Sequence, residues 1–354
     1  MVRFDICSLV DHLPDPHTHN YNESQQGRFQ SVIEMARRGD EAGYGGFWVG
    51  EHHASAYIAP SPQMILAAAA MRTKSLRLGT AVSLLPNSDP VRVAEEFAML
   101  DLLSNGRAEL GFGSGITEHT FALFGQRVED APAISAENLD LLYKLWTEDE
   151  VDWKGKFRSP IEHTRLEPRT LSGKPIPITR ATSGSERTVI DAARRGQKLA
   201  LHTVVGSFAD SRPAAELYRR SYKEFHPNSS DMKVAATAYA YVQKDGAKAR
   251  EYWQPYRDNY FAFGKMLITA KGANRSLVKR REDLGFKVEG PRQAEMIGEP
   301  AEVVDMIYKG YEDIGGFDEL KILFDIGGMG PDDVFRSMDL FTETVLPKVQ
   351  KLGS

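Results

Sequence analysis

Eight short β-type runs, each followed by a helical run, succeed one another along 354 residues, and this alternation constrains the fold more than any single motif. Phe4–Leu9, Phe47–Val49, Leu76–Val82 and Arg107–Phe112 read as the first four strands, and Ile176–Thr179, Leu199–Thr203, Lys233–Val242 and Leu320–Phe324 as the last four. Between them, apolar residues recur at helical spacing, as Phe29, Val32, Ile33 and Ala36 do within Arg28–Ala42. Eight βα units in one chain predict an α/β fold, a single (β/α)8 barrel over 1–354, with a doubly wound sheet as the alternative. Two stretches break the rhythm. Residues 151–175 read as a hairpin insertion. Residues 265–292, with eight Lys/Arg against three Asp/Glu, read as a solvated insertion or as an active-site lid.

In a barrel, the C-terminal ends of the strands converge on the site. That rule makes neighbours of Glu51-His52-His53 after strand two, the glycine run 111–115 after strand four and Ala181–Ser185 after strand five. His202 and Asp325 end strands six and eight. Phe47-Trp48-Val49 is an apolar run that stops at a carboxylate and two imidazoles. Such a stop either closes a structural network or delivers groups able to exchange protons near neutral pH, with Glu51 fixing a histidine tautomer and raising its pKa. The glycines at 111, 113 and 115 lack dinucleotide-fold spacing, and read as places where a flat ligand meets the backbone. Ser183, Gly184, Ser185 and Thr188 open the helix Ser185–Arg195, where hydroxyls and free N–H groups suit a phosphate. A plain serine cap is the simpler reading. Gly327-Gly328-Met329-Gly330 is the rival cradle. His17 and His19 lack a third group at ligand spacing, so no metal is expected. The four tryptophans are expected in packing roles.

Composition narrows the function classes. A net charge of −5 argues against a nucleic-acid binder, which would need a basic face. The longest greasy stretch, 64–71, is far below the roughly 18 residues of a membrane span. A single cysteine, Cys7, and a start without a signal-type apolar region fit a cytoplasmic enzyme.

The stretches FWVGEHH and LRLGTAVSLLPNSDPVRVAEEFAMLDLLSNGRAELGFGSG, with the late segment GEPAEVVDMIYKGYEDIGGFDELKILFDIGGMG, resemble the bacterial luciferase family of flavin-dependent monooxygenases. The resemblance runs over nearly the whole chain. It implies a barrel that binds reduced FMN from a separate flavin reductase. Through a peroxyflavin formed with O2, such an enzyme oxidises a small organic substrate, an aldehyde or a ketone. It places the catalytic histidine at His52, after Glu51, and a non-proline cis peptide at Ala81–Val82. The flavin phosphate falls at Ser185 and Thr188, and a mobile lid at 265–292. A homodimer is expected. Departures stand at Gly113, where luciferase has a reactive cysteine, and at Ser114 and Ala136, where it has arginines; Arg127 and Arg187 are candidate replacements. Two alternatives share the barrel: an F420-dependent oxidoreductase and a non-catalytic flavin-binding subunit. An intact His52 argues against the second.

Overall fold

Residues 1–115, 117–269 and 294–353 are described by a computed structural model, with backbone alone at 205 and 266–269. Eight parallel strands close on themselves: β1 (Arg3–Ser8), β2 (Gly46–Val49), β3 (Arg77–Thr80), β4 (Ala108–Gly113), β5 (Ile178–Thr182), β6 (Lys198–Leu201), β7 (Val234–Val242) and β8 (Glu319–Leu323). Asp5 of β1 lies opposite Gly46 on one side and Lys321 on the other. Val234 of β7 pairs with Leu199 of β6, which shuts the barrel. The (β/α)8 expectation holds, and the doubly wound alternative falls.

Local chemistry sets the boundaries. Pro62, Pro90, Pro300 and Pro331 each open a helix, where the missing N–H costs nothing. Asp89 caps the helix Pro90–Leu103 by accepting from the Val91 N–H at 2.8 Å. The closing helix is divided into Pro331–Thr344 and Leu346–Val349, because Pro347 cannot continue the ladder. The insertion at 151–175 contains an antiparallel hairpin, Val151–Trp153 with Ile161–Thr164. The lid-like insertion lies outside the described residues apart from its first few, which end the helix Gly246–Thr269. One strand was not legible: Glu295–Gly298 pairs with Tyr239–Val242, the upper half of β7, whose lower half bonds β8. Among the described residues no helix is long and apolar enough to cross a membrane.

Along β4, Ala108, Leu110 and Phe112 are fully buried, in alternation with Glu109. Each large apolar side chain buried in this way contributes about 1.5–3 kcal/mol. Trp48 and Trp146 sit in this core, as expected of tryptophans, and Trp253 is nearly as buried.

The floor of the barrel is ionic. Lys198 bridges Glu109 at 2.6 Å and Glu319 at 2.5 Å, and Arg3 reaches Glu319 at 3.0 Å and Asp5 at 2.9 Å. Lys321 lies 3.2 Å from the centre of the Trp48 ring, whose indole N–H donates to Asp5 at 2.8 Å. Three cations (Arg3, Lys198, Lys321) thus face three carboxylates (Asp5, Glu109, Glu319). Burial alone would raise the pKa of Glu319, but Lys321, Lys198 and Arg3 outweigh it and hold the carboxylate below its usual range.

Candidate active site

The second strand ends where the alternation placed it. Gly50 is required there, since a Cβ would meet the Leu9 side chain at 2.5 Å and the Ala81 carbonyl at 3.1 Å. That close approach lets the Glu51 N–H donate to the Val82 carbonyl at 3.1 Å, joining the ends of β2 and β3. The Ala81–Val82 peptide is cis, as the resemblance implied.

Glu51 is buried, and its carboxylate is fully committed. One oxygen meets His53 Nε2 at 2.9 Å, and the other accepts the Leu84 N–H at 3.0 Å. The expectation that Glu51 would orient a histidine is met by His53, which packs edge-on to Phe124, and not by His52. This corrects the role expected of the pair. Among the described residues no carboxylate is bonded to His52, and its pKa falls to about 4: burial is the main cause, with His53 and His202 adding repulsion. A raised pKa was the expectation for a Glu-paired imidazole. The reversal follows from Glu51 turning the other way.

Although part of the His52 ring keeps some exposure, its Nδ1 is shut off from solvent and has no hydrogen-bond partner among the described residues. The ring lies 4.4 Å from that of Tyr57, tilted by 32°. Tyr57 is flanked by Phe263 at 5.1 Å and Tyr260 at 5.8 Å, both from the helix Gly246–Thr269. Ser83, directly after the cis peptide, is another fully buried group whose hydroxyl finds no partner. His202 is exposed at the end of β6 and close enough to influence His52, so the topology did bring these ends together.

The glycines after β4 have a different reason from the one expected. A Cβ on Gly111 would strike the Thr80 carbonyl at 1.9 Å, and one on Gly113 would meet the Val82 side chain at 3.0 Å. Protein, not ligand, fills the space at both. Gly113 thereby seats Val82 in the wall beside the cis bond, and Ser114 follows at the rim, half-buried.

The two phosphate cradles separate cleanly. The N–H groups of Gly327 and Gly328 donate to Asp11 at 2.7 and 3.3 Å, so that loop is filled by its own chain. By contrast, Ser185 begins the helix Glu186–Arg194 with no side-chain capping bond, and Ser183 and Ser185 are exposed. Gly184, at a φ of +109°, donates its N–H to Thr182 Oγ1 at 3.1 Å, which turns the chain into the helix. Thr188 lies one turn on, half-buried, and Arg187 is exposed beside it. Arg127 is engaged with Glu129 at 3.5 Å.

Asp325 is buried beneath the mouth, bonded through one oxygen to Ser8 and Arg28, each at 2.5 Å. Among the described residues no group of three or more His, Cys, Asp or Glu is arranged to hold a metal. The residues that sequence reasoning missed are Tyr57, Ser83, Tyr260 and Phe263. The last two carried a signal, since Tyr252, Tyr256, Tyr260 and Phe263 follow helical spacing.

A model of the luciferase-like monooxygenases matches residues 2–317. The chain is 28% identical to 4-hydroxyprotoasukamycin monooxygenase of Streptomyces nodosus subsp. asukaensis, over 89% of this chain and 85% of that one. It is 25% identical to the oxygenase component of the flavin-dependent trigonelline monooxygenase of Acinetobacter baylyi, over 98% and 95%. Among solved structures, the oxygenating constituent of 3,6-diketocamphane monooxygenase from Pseudomonas putida, in complex with FMN, superposes with a TM-score of 0.79 at 19% identity, over 98% of this chain and 99% of that one. With its closed barrel and its histidine-bearing mouth, this chain belongs to the luciferase-like monooxygenase family.

Proposed function

We propose that the chain is the oxygenase component of a two-component system. It takes reduced FMN from a separate flavin reductase and uses O2 to oxidise a small organic substrate such as an aldehyde or ketone. One observation carries this reading: an imidazole nitrogen, His52 Nδ1, is kept out of water at the barrel mouth and left without a partner among the described residues. Leaving a buried polar atom unpaired costs about 1–3 kcal/mol, and a bound ligand is what recovers it.

The residues around His52 fit a flavin. The cis Ala81–Val82 segment and Gly113 supply a wall of small groups, and the unpaired Ser83 hydroxyl offers a bond to a polar ring edge. Ser183, Gly184, Ser185 and Thr188 hold the phosphate at a helix N-terminus, with Arg187 adding positive charge where Ser114 and Ala136 do not. Reduced FMN, once bound, supplies the two electrons that activate O2. His52 moves a proton at the reacting oxygen through Nδ1, and Glu51 holds the turn beneath it. The names of the trigonelline and diketocamphane proteins, an oxygenase component and an FMN complex, support the same reading.

Mixing the anaerobic complex with reduced FMN into oxygenated buffer tests it. The return of oxidised-flavin absorbance is expected to be slower than in free solution. Return at the free-solution rate, together with preferential binding of F420, would shift the assignment to deazaflavin hydride transfer. The homodimer is proposed on the run of exposed apolar side chains along two neighbouring helices: Met64, Met71, Met99, Leu102 and Leu103. Sedimentation at the mass of one chain would overturn it.

A further inference from the structure

The Nδ1 of His52 is unpaired because of its neighbours, and one neighbour stands out. Tyr57 covers the imidazole at 4.4 Å and is itself almost wholly buried. Tyr57 sits in a loop whose backbone is pinned by an isolated antiparallel bridge to Asp11, and its ring is oriented by packing. Two side chains of the helix Gly246–Thr269 do this. Phe263 meets the Tyr57 ring edge to face at 5.1 Å, and Tyr260 meets it at 5.8 Å and is hydrogen-bonded to it. Tyr260 in turn packs against Tyr239 of β7 at 5.9 Å, which ties the clamp to the barrel wall.

We propose that Tyr57, clamped by Tyr260 and Phe263, is a positioning residue for His52: it covers the imidazole and keeps Nδ1 clear of protein and water, so that the ligand takes that nitrogen. The inference rests on His52 being the reacting group. Its physical content is desolvation. Covering one face of the ring removes water that would otherwise solvate an imidazolium, so the neutral form is held at working pH. Among the described residues, the titratable groups that act on the pair agree with this. His53 and His202 repel a positive charge on His52, and the adjacent carboxylate, Glu51, is spent on His53 and Leu84. Tyr260 stays protonated, with burial first among the causes and Tyr239, Tyr57 and Asp11 adding to it. A neutral imidazole with an open nitrogen accepts a proton there. It does not arrive already carrying one.

The test is an imidazole-nitrogen NMR titration of the full chain without flavin, on wild type, Tyr57→Phe, Tyr57→Ala and Tyr260→Phe. Tyr57→Phe keeps the cover and loses only the hydrogen bond to Tyr260, so its midpoint is expected to stay near the wild type and to move no further than in Tyr260→Phe. Tyr57→Ala admits water and moves the His52 midpoint up by about one pH unit or more, toward the ordinary value near 6.5. Tyr260→Phe loosens the clamp and moves it part of the way. Turnover measured about one pH unit below the raised midpoint should separate in the same order, with kcat lowered about tenfold in Tyr57→Ala, rescued in Tyr57→Phe, and flavin affinity retained in both. An unmoved midpoint in Tyr57→Ala and Tyr260→Phe overturns the proposal, as does a shift in Tyr57→Phe as large as in Tyr57→Ala. If Tyr57→Ala fails to fold, Tyr260→Phe decides alone. Because the titration uses neither flavin nor oxygen, a failed oxygenation assay leaves its outcome standing, and the reverse holds as well.

Discussion

The two ends of the barrel bury polar groups in opposite ways. At the floor, Arg3, Lys198 and Lys321 are matched against Asp5, Glu109 and Glu319, and even Thr179 and the Trp48 indole N–H find carboxylates there, at 2.6 and 2.8 Å. At the mouth, His52 Nδ1, Ser83 Oγ and one oxygen of Asp325 are buried without partners among the described residues. Burial of polar groups is tolerated when every one is paired and is costly when one is not. The floor's ion network is therefore complete as a structure, while the mouth keeps polar atoms for something bound to pair. Among the described residues, buried unpaired atoms also occur elsewhere, at Gln197 and Trp253 for example, so it is their gathering at the strand ends that marks the mouth.

The largest effect expected belongs to the floor. Glu319→Ala strips Lys198, Lys321 and Arg3 of a shared partner and leaves buried cations uncompensated, which costs about 3–5 kcal/mol. Urea denaturation measures this directly. A loss below about 1 kcal/mol would break the comparison, because the floor would then be no more than a set of independent weak pairs.

At the mouth the ranking inverts. His52→Ala is expected to lower turnover by about 10²–10⁴-fold, the range of a lost proton-transfer group, while stability is unchanged or slightly improved because an unpaired buried polar group is removed. Steady-state rates beside a denaturation curve check both halves. Unchanged turnover would remove His52 from the chemistry. A smaller effect follows at Glu51→Gln. The amide still accepts from the Leu84 N–H but loses its charge toward His53, at about 1–2 kcal/mol of stability and less than a tenfold change in rate. A rate loss equal to that of His52→Ala would restore Glu51 as a direct participant.

The sequence rendered these two ends unequally. The barrel was legible because strand and helix periods alternate eight times, and the mouth's strand ends followed from that topology. His52, the cis bond and the helix proposed for the phosphate came from the resemblance or from helix-terminus chemistry. What stayed hidden depends on side-chain direction. Glu51 lies next to His52 in sequence, yet two successive residues point apart, and the carboxylate reached His53 two positions on. The floor's ion network joins residues as distant as Arg3 and Glu319, which no local period connects. Asp11 claims the Gly327–Gly328 amides from 316 positions away, so the rival phosphate cradle could not be dismissed by spacing. Tyr57 sits in irregular chain, where periodicity has nothing to say.

The sharpest form of the comparison is a pH experiment in which the expected effect near neutrality is nil. His52 titrates at about 4 when folded and near 6.5 when unfolded. Between those values the unfolded chain binds the extra proton, so stability is lost as pH falls through that window and is level above it. Asp11 has the opposite sign. Burial lifts its pKa to about 6 in spite of Arg28 and the two glycine amides, so its contribution declines as pH rises from the ordinary aspartate range to that value. The two slopes partly cancel in the wild type, and a simple stability curve would hide both. Subtracting the curve of His52→Ala from that of the wild type isolates the first. The difference should be constant at neutral pH and should turn against the wild type only in acid. Turnover that depends on an uncharged His52 should likewise be flat through neutrality. A rate inflection near 6.5 that disappears in His52→Ala would mean that His52 titrates as an ordinary exposed imidazole, and the mouth would then be no drier than the surface.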